Sequence, residues 1–161
     1  MSDNRIMSLF VSDIAPDEQS IRNVAFKAIL EGAAMTRDGL VTATGFAREK
    51  VDTLVDELIK RGLIVIDSDS GRILGSWGLS LLPTTHKLRI RDRTLHTWCA
   101  EDAVGIPAGL GEDASIVSQC HKCGVPVNIE MATGQLVHVE PPDVQLWVTA
   151  SEVGRSVVGF T

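Results

Sequence analysis

The chain has 161 residues, 44% of them hydrophobic and 22% charged, enough for one sizeable core or two small cores sharing an interface. With 4% aromatic residues, no Tyr and a formal net charge of -6, it lacks the rings of a base-stacking surface and the basic field of a general polyanion binder.

The opening residues, "MSDNRIMSLFVSDIAPDEQ", contain no basic region followed by the apolar run of a secretory leader. No stretch approaches the ~18 apolar residues of a membrane span. Both features predict a cytoplasmic protein. Three cysteines, an odd number in such a chain, suggest metal or thiol chemistry rather than a disulfide framework.

"APDEQSIRNVAFKAILEGAAM" predicts a helix. Pro16 and its acidic neighbours suit a first turn, and Ile21, Val24, Ala25, Ala28 and Ile29 make an apolar stripe. "TRDGLVTATGF" predicts a helical turn or two. In "REKVDTLVDELIKRG", Val51, Leu54, Val55, Leu58 and Ile59 hold helical spacing, and Gly62 supplies the stop. "LIVID", the turn "SDSG" and "RILGSWGLSL" then predict a two-stranded hairpin. This order is that of a winged helix. Such a domain either binds DNA through residues 47–61 or serves as a packing module. Arg48, Lys50, Lys60 and Arg61 are balanced by Glu49, Asp52, Asp56 and Glu57, which leaves no electrostatic footprint and favours packing.

From about Pro83 the texture changes. "HKLRI", "ASIVSQ", "PVNIEM", "QLVHVE" and "VQLWVTAS" read as strands punctuated by Gly, Pro and Asp. One helix-like segment, "WCAEDAVGIPAGL", interrupts them. The chain is therefore predicted to be α+β, a winged-helix-like domain over 1–82 followed by a mixed α/β domain over 83–161 that carries every cysteine. Trp77 and Trp147 are expected in the core. His86 and His138 are expected at a surface or edge, and His96 either tunes a thiol or lies exposed at a strand end.

Two constellations carry chemistry. A helix beginning near Trp98 would set Cys99 at its N-terminus, where the dipole lowers a thiol pKa. Asp102 would share that helical face. Such a pair can capture an electrophile and deliver a proton to it; equally, it is a buried thiol beside an ordinary first-turn acid. The second is "CHKCG", in which Cys120 and Cys123 can clasp a soft or borderline metal or simply occupy a strand entry. A closed zinc site needs four ligands, and Cys99, His96, His121 and His138 are candidate completions without diagnostic spacing.

"GRILGSWGLSLLPTTHKLRIRDRTLHTWCAEDAVGIPAGLG" resembles the corresponding stretch of the organomercurial (alkylmercury) lyases. "ASIVSQCHKCGVPVNIEMATGQLVHVEPPDVQLWV" is similar to their C-x-x-T-G-x-P-V…V-E-P segment. The likeness spans about residues 20 to 158, and T-W-C-A-x-D with its flanks is its most specific part. The resemblance implies that carbon–mercury bonds are cleaved by protonolysis without a required cofactor, mercury being substrate or product. Thiolates take the soft metal and an Asp protonates the leaving carbon. It places Cys99 as the first catalytic cysteine, Asp102 as the catalytic aspartate and Cys120 as a cysteine usually regarded as structural. It also implies an organomercurial or other small soft electrophile and cellular thiols as partners, with no nucleic acid and no membrane.

Two positions depart from the pattern. Where the second catalytic cysteine belongs, the sequence reads "EVGRSVVGFT", with Val157 and Val158. Cys123 stands where the family usually has Thr. Cys120 or Cys123 would then supply the second thiolate, giving Cys99, Cys120 and Cys123 as mercury ligands. The alternative is a non-catalytic soft-metal (Hg, Cu or Zn) binding protein. A third reading, a winged-helix regulator sensing metal through its cysteines, conflicts with the acidic charge.

Overall fold

A computed structural model describes residues 14–146. Trp147 and most of the strand expected over "VQLWVTAS" lie outside that range, and Val144 to Leu146 have no regular structure. The elements are α1 (Pro16–Leu30), α2 (Arg37–Thr44), α3 (Arg48–Lys60), β1 (Ile64–Ile66), β2 (Ile73–Ser76), β3 (Leu79–Ser80), β4 (His86–Ile90), β5 (Arg93–Thr97), α4 (Ala100–Leu110), β6 (Ala114–Gln119), β7 (Pro126–Ala132) and β8 (Gln135–Glu140). The fold is α+β, as expected. Helix, helix, helix and hairpin follow one another in the order the sequence predicts.

Local signals account for the helix ends. Glu18 caps α1 by accepting the Ala15 N–H at 3.1 Å. The Thr36 hydroxyl caps α2 by accepting from the Gly39 N–H at 3.0 Å, and Gly45 closes it in the left-handed region at φ 71°. Val51, Val55 and Leu58 of α3 are fully buried and pack with Ile21, Ala25, Leu40, Ile64 and Ile73. A second cluster joins Phe26, Ile29 and Leu30 to Leu79, Leu88, Ile90, Leu95, Ala103 and Ile116. Successive faces of α1 thus serve both clusters, and one sheet runs beneath them.

All eight strands form a single antiparallel sheet in the order β1-β2-β3-β5-β4-β6-β7-β8. The inversion of β4 and β5 decides where the site lies. The chain leaves β3, starts β4 one strand further out, and returns as β5 between them. Arg91 and Asp92 turn this hairpin, both at positive φ (51° and 58°), which suits a two-residue type I′ turn. Leu79 is then opposite Thr97, and the Trp98 N–H donates to the Gly78 carbonyl at 2.8 Å. β5 was not among the strands the sequence predicts, because "RTLHT" runs straight into the helix-like segment.

Candidate active site

β5 ends at Thr97, and α4 starts at Ala100 with Cys99 as its N-cap, in extended conformation (φ -144°, ψ 172°). The Cys99 sulfur accepts the Asp102 N–H at 3.4 Å. In return, Asp102 Oδ2 accepts the Cys99 N–H at 3.2 Å and the Cys99 thiol at 3.1 Å. This is a capping box built from Cys and Asp. The sequence therefore placed this pair correctly on one helical turn.

The protonation it favours differs from the expectation. A helix N-terminus alone would lower the Cys99 pKa. Instead, burial and then the Asp102 charge push the thiol up to about 12, against the opposing N–H donors of Asp102 and Glu101. Burial likewise raises the Asp102 carboxyl, opposed by its hydrogen bonds from Cys99 and by the charge of Arg22. The resting pair is thus a neutral thiol pointing its proton at a carboxylate that is itself disposed to take one.

Gly78, Trp77, Arg22 and Trp98 frame this pair, and the sequence singles out neither Gly78 nor Arg22. Gly78, at φ 78°, lies against Asp102 so closely that a Cβ there would overlap its carboxyl group. Beside it, Trp77 carries the Arg22 guanidinium 3.5 Å from its ring centroid, and Trp77 Nε1 donates to Asn23 Oδ1 at 3.0 Å. Arg22 is 3% exposed, and its Nε and Nη1 have no hydrogen-bond partner among the described residues. Burial lowers its pKa to about 10, the Arg61 charge adds to this, and Asp102 and Glu18 oppose it. Trp98 is 6% exposed, and its Nε1 has no hydrogen-bond partner among the described residues. Arg22 had a signal: with Phe26 and Ile29 it lies at i, i+4 and i+7 on a buried helical row.

Three histidine and tryptophan expectations change. His86 is buried, not at an edge, because β4 is an interior strand; its Nδ1 lies 2.6 Å from Ser118 Oγ. Trp77 is only partly buried, packed against the core with its face given to Arg22. His96 is half-buried, its Nδ1 accepting from the Thr84 N–H at 3.1 Å, so it braces the β3–β4 connection. His138 is exposed, as expected.

Cys120 and Cys123 sit on the β6–β7 turn, which is closed by Cys120 N–H to Val125 O (2.9 Å) and Gly124 N–H to Cys120 O (2.8 Å). Cys120 is half-buried and Cys123 exposed. The backbone N–H and thiol of Cys123, with the Lys122 N–H, hold the Cys120 thiol below its ordinary pKa. His86 is opposite Thr97 on one side, and Lys87 is opposite Val117 on the other. The ends of β5 and β6 are therefore at the same end of the sheet, two strand spacings or about 10 Å apart. Among the described residues, no group of three or more His, Cys, Asp and Glu side chains could hold a metal ion. Cys99, Cys120 and Cys123 thus do not form one three-ligand cage, and the four-ligand zinc arrangement has no completing set.

The family model for alkylmercury lyase matches residues 79–160, from β3 through the cysteines. The chain belongs to the alkylmercury lyase family. It is 34% identical to an alkylmercury lyase of Bacillus cereus over 110 residues, 68% of this chain and 48% of the relative. It is 30% identical to the Streptomyces lividans enzyme over 138 residues, 86% of this chain and 64% of that protein. The chain thus spans about half the length of the first and under two thirds of the second. A crystal structure of the mercury-bound form of MerB2 superposes with a TM-score of 0.88 at 28% identity, covering 96% of this chain and 74% of that one. Within this family the Cys99–Asp102 capping box falls inside the matched segment, as do Cys120 and Cys123.

Proposed function

We propose that this alkylmercury lyase family member cleaves carbon–mercury bonds by protonolysis at Cys99 and Asp102. The observation that carries the reading is the 3.1 Å contact from the Cys99 thiol to Asp102 Oδ2. A thiol held neutral by burial cannot bind metal until its proton leaves. Asp102 is the acceptor in place. As the sulfur–mercury bond forms, the thiol proton passes to Asp102 and the mercurial's original ligand departs as an anion. The carbon–mercury bond then breaks, its electron pair taking the Asp102 proton to give the hydrocarbon. Asp102 returns to carboxylate, and Hg(II) remains on Cys99 with a cellular thiolate as second ligand. No cofactor is required by this sequence of steps. The mercury is substrate and then product.

The N-terminal part, residues 1–82, serves in this reading as a winged-helix-like packing module for the cysteine-bearing part, 83–161. The cations of residues 47–61 are engaged with carboxylates: Lys50 with Asp17 at 2.6 Å, Lys60 with Glu57 at 2.8 Å, Arg61 with Glu18 at 2.8 Å, and Arg48 with Asp38. This supports a role without nucleic acid. No helix among the described residues is long and apolar enough to cross a membrane, and we place the reaction in the cytoplasm, where thiols are abundant.

The test is incubation of the purified protein with phenylmercury and excess thiol, with benzene measured in the headspace. Benzene should form, and Cys99→Ser should abolish it. Absence of benzene, or its persistence in Cys99→Ser, overturns the reading. Val157 and Val158 at the second catalytic position favour one alternative, a soft-metal binding protein without turnover, which predicts mercury retention and no benzene.

A further inference from the structure

We infer that Cys120 and Cys123 form a second site of their own, a dithiolate clasp for one two-coordinate thiophilic ion, Hg(II) in the first place, separate from Cys99. Its role as acceptor of the metal released at Cys99 rests on the lyase reading above; its existence as a site does not.

Soft thiolates select soft ions, and C-x-x-C on a closed turn brings two of them to one place. Here the turn is fixed independently of any metal. The Cys120 N–H and carbonyl are both engaged, to Val125 and Gly124. Gln119 Nε2 donates to the Gly124 carbonyl at 2.9 Å, and Gly124 takes the left-handed conformation at φ 73° that the turn requires. Exposure of Cys123 gives an entering ion a first sulfur, and half-buried Cys120 gives it the second.

The ligand count selects the ion. Zinc in a structural site takes four protein ligands, and among the described residues no third His, Cys, Asp or Glu joins this pair. A metal content with two thiolates needs no more. Distance separates the clasp from Cys99. The strand ends are about 10 Å apart, and a linear sulfur–metal–sulfur unit spans ~5 Å, about two bonds of the Zn–S length. Among the described residues Cys99 does not join the two turn cysteines in one metal-holding group, whereas a metal leaving Cys99 meets the turn at the same end of the sheet.

The transfer is a ligand exchange without redox change. Hg(II) starts on the Cys99 sulfur and a small cellular thiolate. Two mercury–sulfur bonds form, to Cys120 and Cys123, as those two break. The protons of the two turn thiols end on Cys99 and on the departing cellular thiol.

Mercuric chloride, one equivalent, followed by increasing glutathione under native mass spectrometry tests the site. Cys99→Ser should keep one Hg(II). Cys99→Ser/Cys123→Thr should lose it at a glutathione concentration lower on the order of a hundredfold, the gain expected from two linked ligands over one. Equal stripping of the two proteins overturns the site; Cys99→Ser/Cys123→Ala repeats the comparison should the threonine variant not fold. In wild type, peptide mapping with iodoacetamide after phenylmercury turnover should find Cys99 alkylated and Cys120 and Cys123 protected. The reverse pattern overturns the transfer. Absence of benzene with mercury retained by Cys99→Ser removes the lyase reading and leaves the dithiolate site standing.

Discussion

Gly78 is the floor beneath Asp102. Its α-carbon lies where any β-carbon would overlap the Asp102 carboxyl group, and its φ of 78° is one that L side chains rarely adopt. The β3–β5 pairing brings the two together, since the Trp98 N–H is bonded to the Gly78 carbonyl. Gly78→Ala should therefore do two things. It should cost about 1–3 kcal/mol of stability through backbone strain, read as a lower urea midpoint. It should also displace Asp102 from Cys99, so that carbon–mercury cleavage falls more than tenfold in protein that is still folded. Retained cleavage would show that the carboxylate does not need this seat.

The Cys99 thiol makes the protein sensitive to alkali. Burial first and the Asp102 charge second raise it from 9.0 to about 12. The folded state then holds the proton more tightly than the unfolded chain does. The contribution is complete below pH 9 and is lost as pH rises from 9 toward 12, where the unfolded chain alone ionises. Urea midpoints measured from pH 7 to 10.5 should fall above pH 9, and Cys99→Ser should flatten that fall. At pH 8, Asp102→Asn should react faster with iodoacetamide at Cys99, because the repelling charge is gone. An unchanged rate would remove Asp102 as a cause.

The N-terminal helices were legible because each buries an apolar stripe at helical spacing and ends on a glycine or at a cap. The Cys99–Asp102 turn was legible for a similar reason: three residues separate the pair, so one helical turn joins them. What sequence did not show depends on pairing between distant segments. β5 lies between β3 and β4 only because the chain steps out and back, and that step is what sets Gly78 under Asp102 and Arg22 beside them. The direction of the Cys99 pKa was misread for the same reason. The helix dipole is local and visible in sequence, whereas burial in the folded chain is not. His86 was misplaced because alternation identifies a strand without saying whether it is interior.

At the acid end, His86 should dominate the slope. Burial holds its pKa below 6.5, and its Nδ1 is 2.6 Å from Ser118 Oγ. Its neutral form is the one the fold accommodates. Stability is complete above 6.5 and declines as pH falls through the depressed folded value, because the unfolded chain binds a proton first. Thermal denaturation between pH 7 and 5 should show this decline in wild type and a shallower one in His86→Gln. Identical slopes would assign the acid sensitivity to carboxyl groups instead.

Arg22 should separate stability from activity. Its guanidinium is buried, with Nε and Nη1 lacking a hydrogen-bond partner among the described residues, and burying polar groups without such partners opposes folding. Trp77 offsets part of that cost through its ring face, 3.5 Å away. Replacement by an apolar side chain of similar length removes the burden and the charge together. Arg22→Met should therefore melt at or above the wild-type temperature. It should also cleave phenylmercury severalfold more slowly, because a cation that favours the Asp102 carboxylate is lost. Arg22→Lys, which keeps the charge, should recover most of the rate. Melting curves and benzene release measured on the same preparations decide it. A melting temperature lowered by several degrees with full activity would make Arg22 a brace for α1 and nothing more.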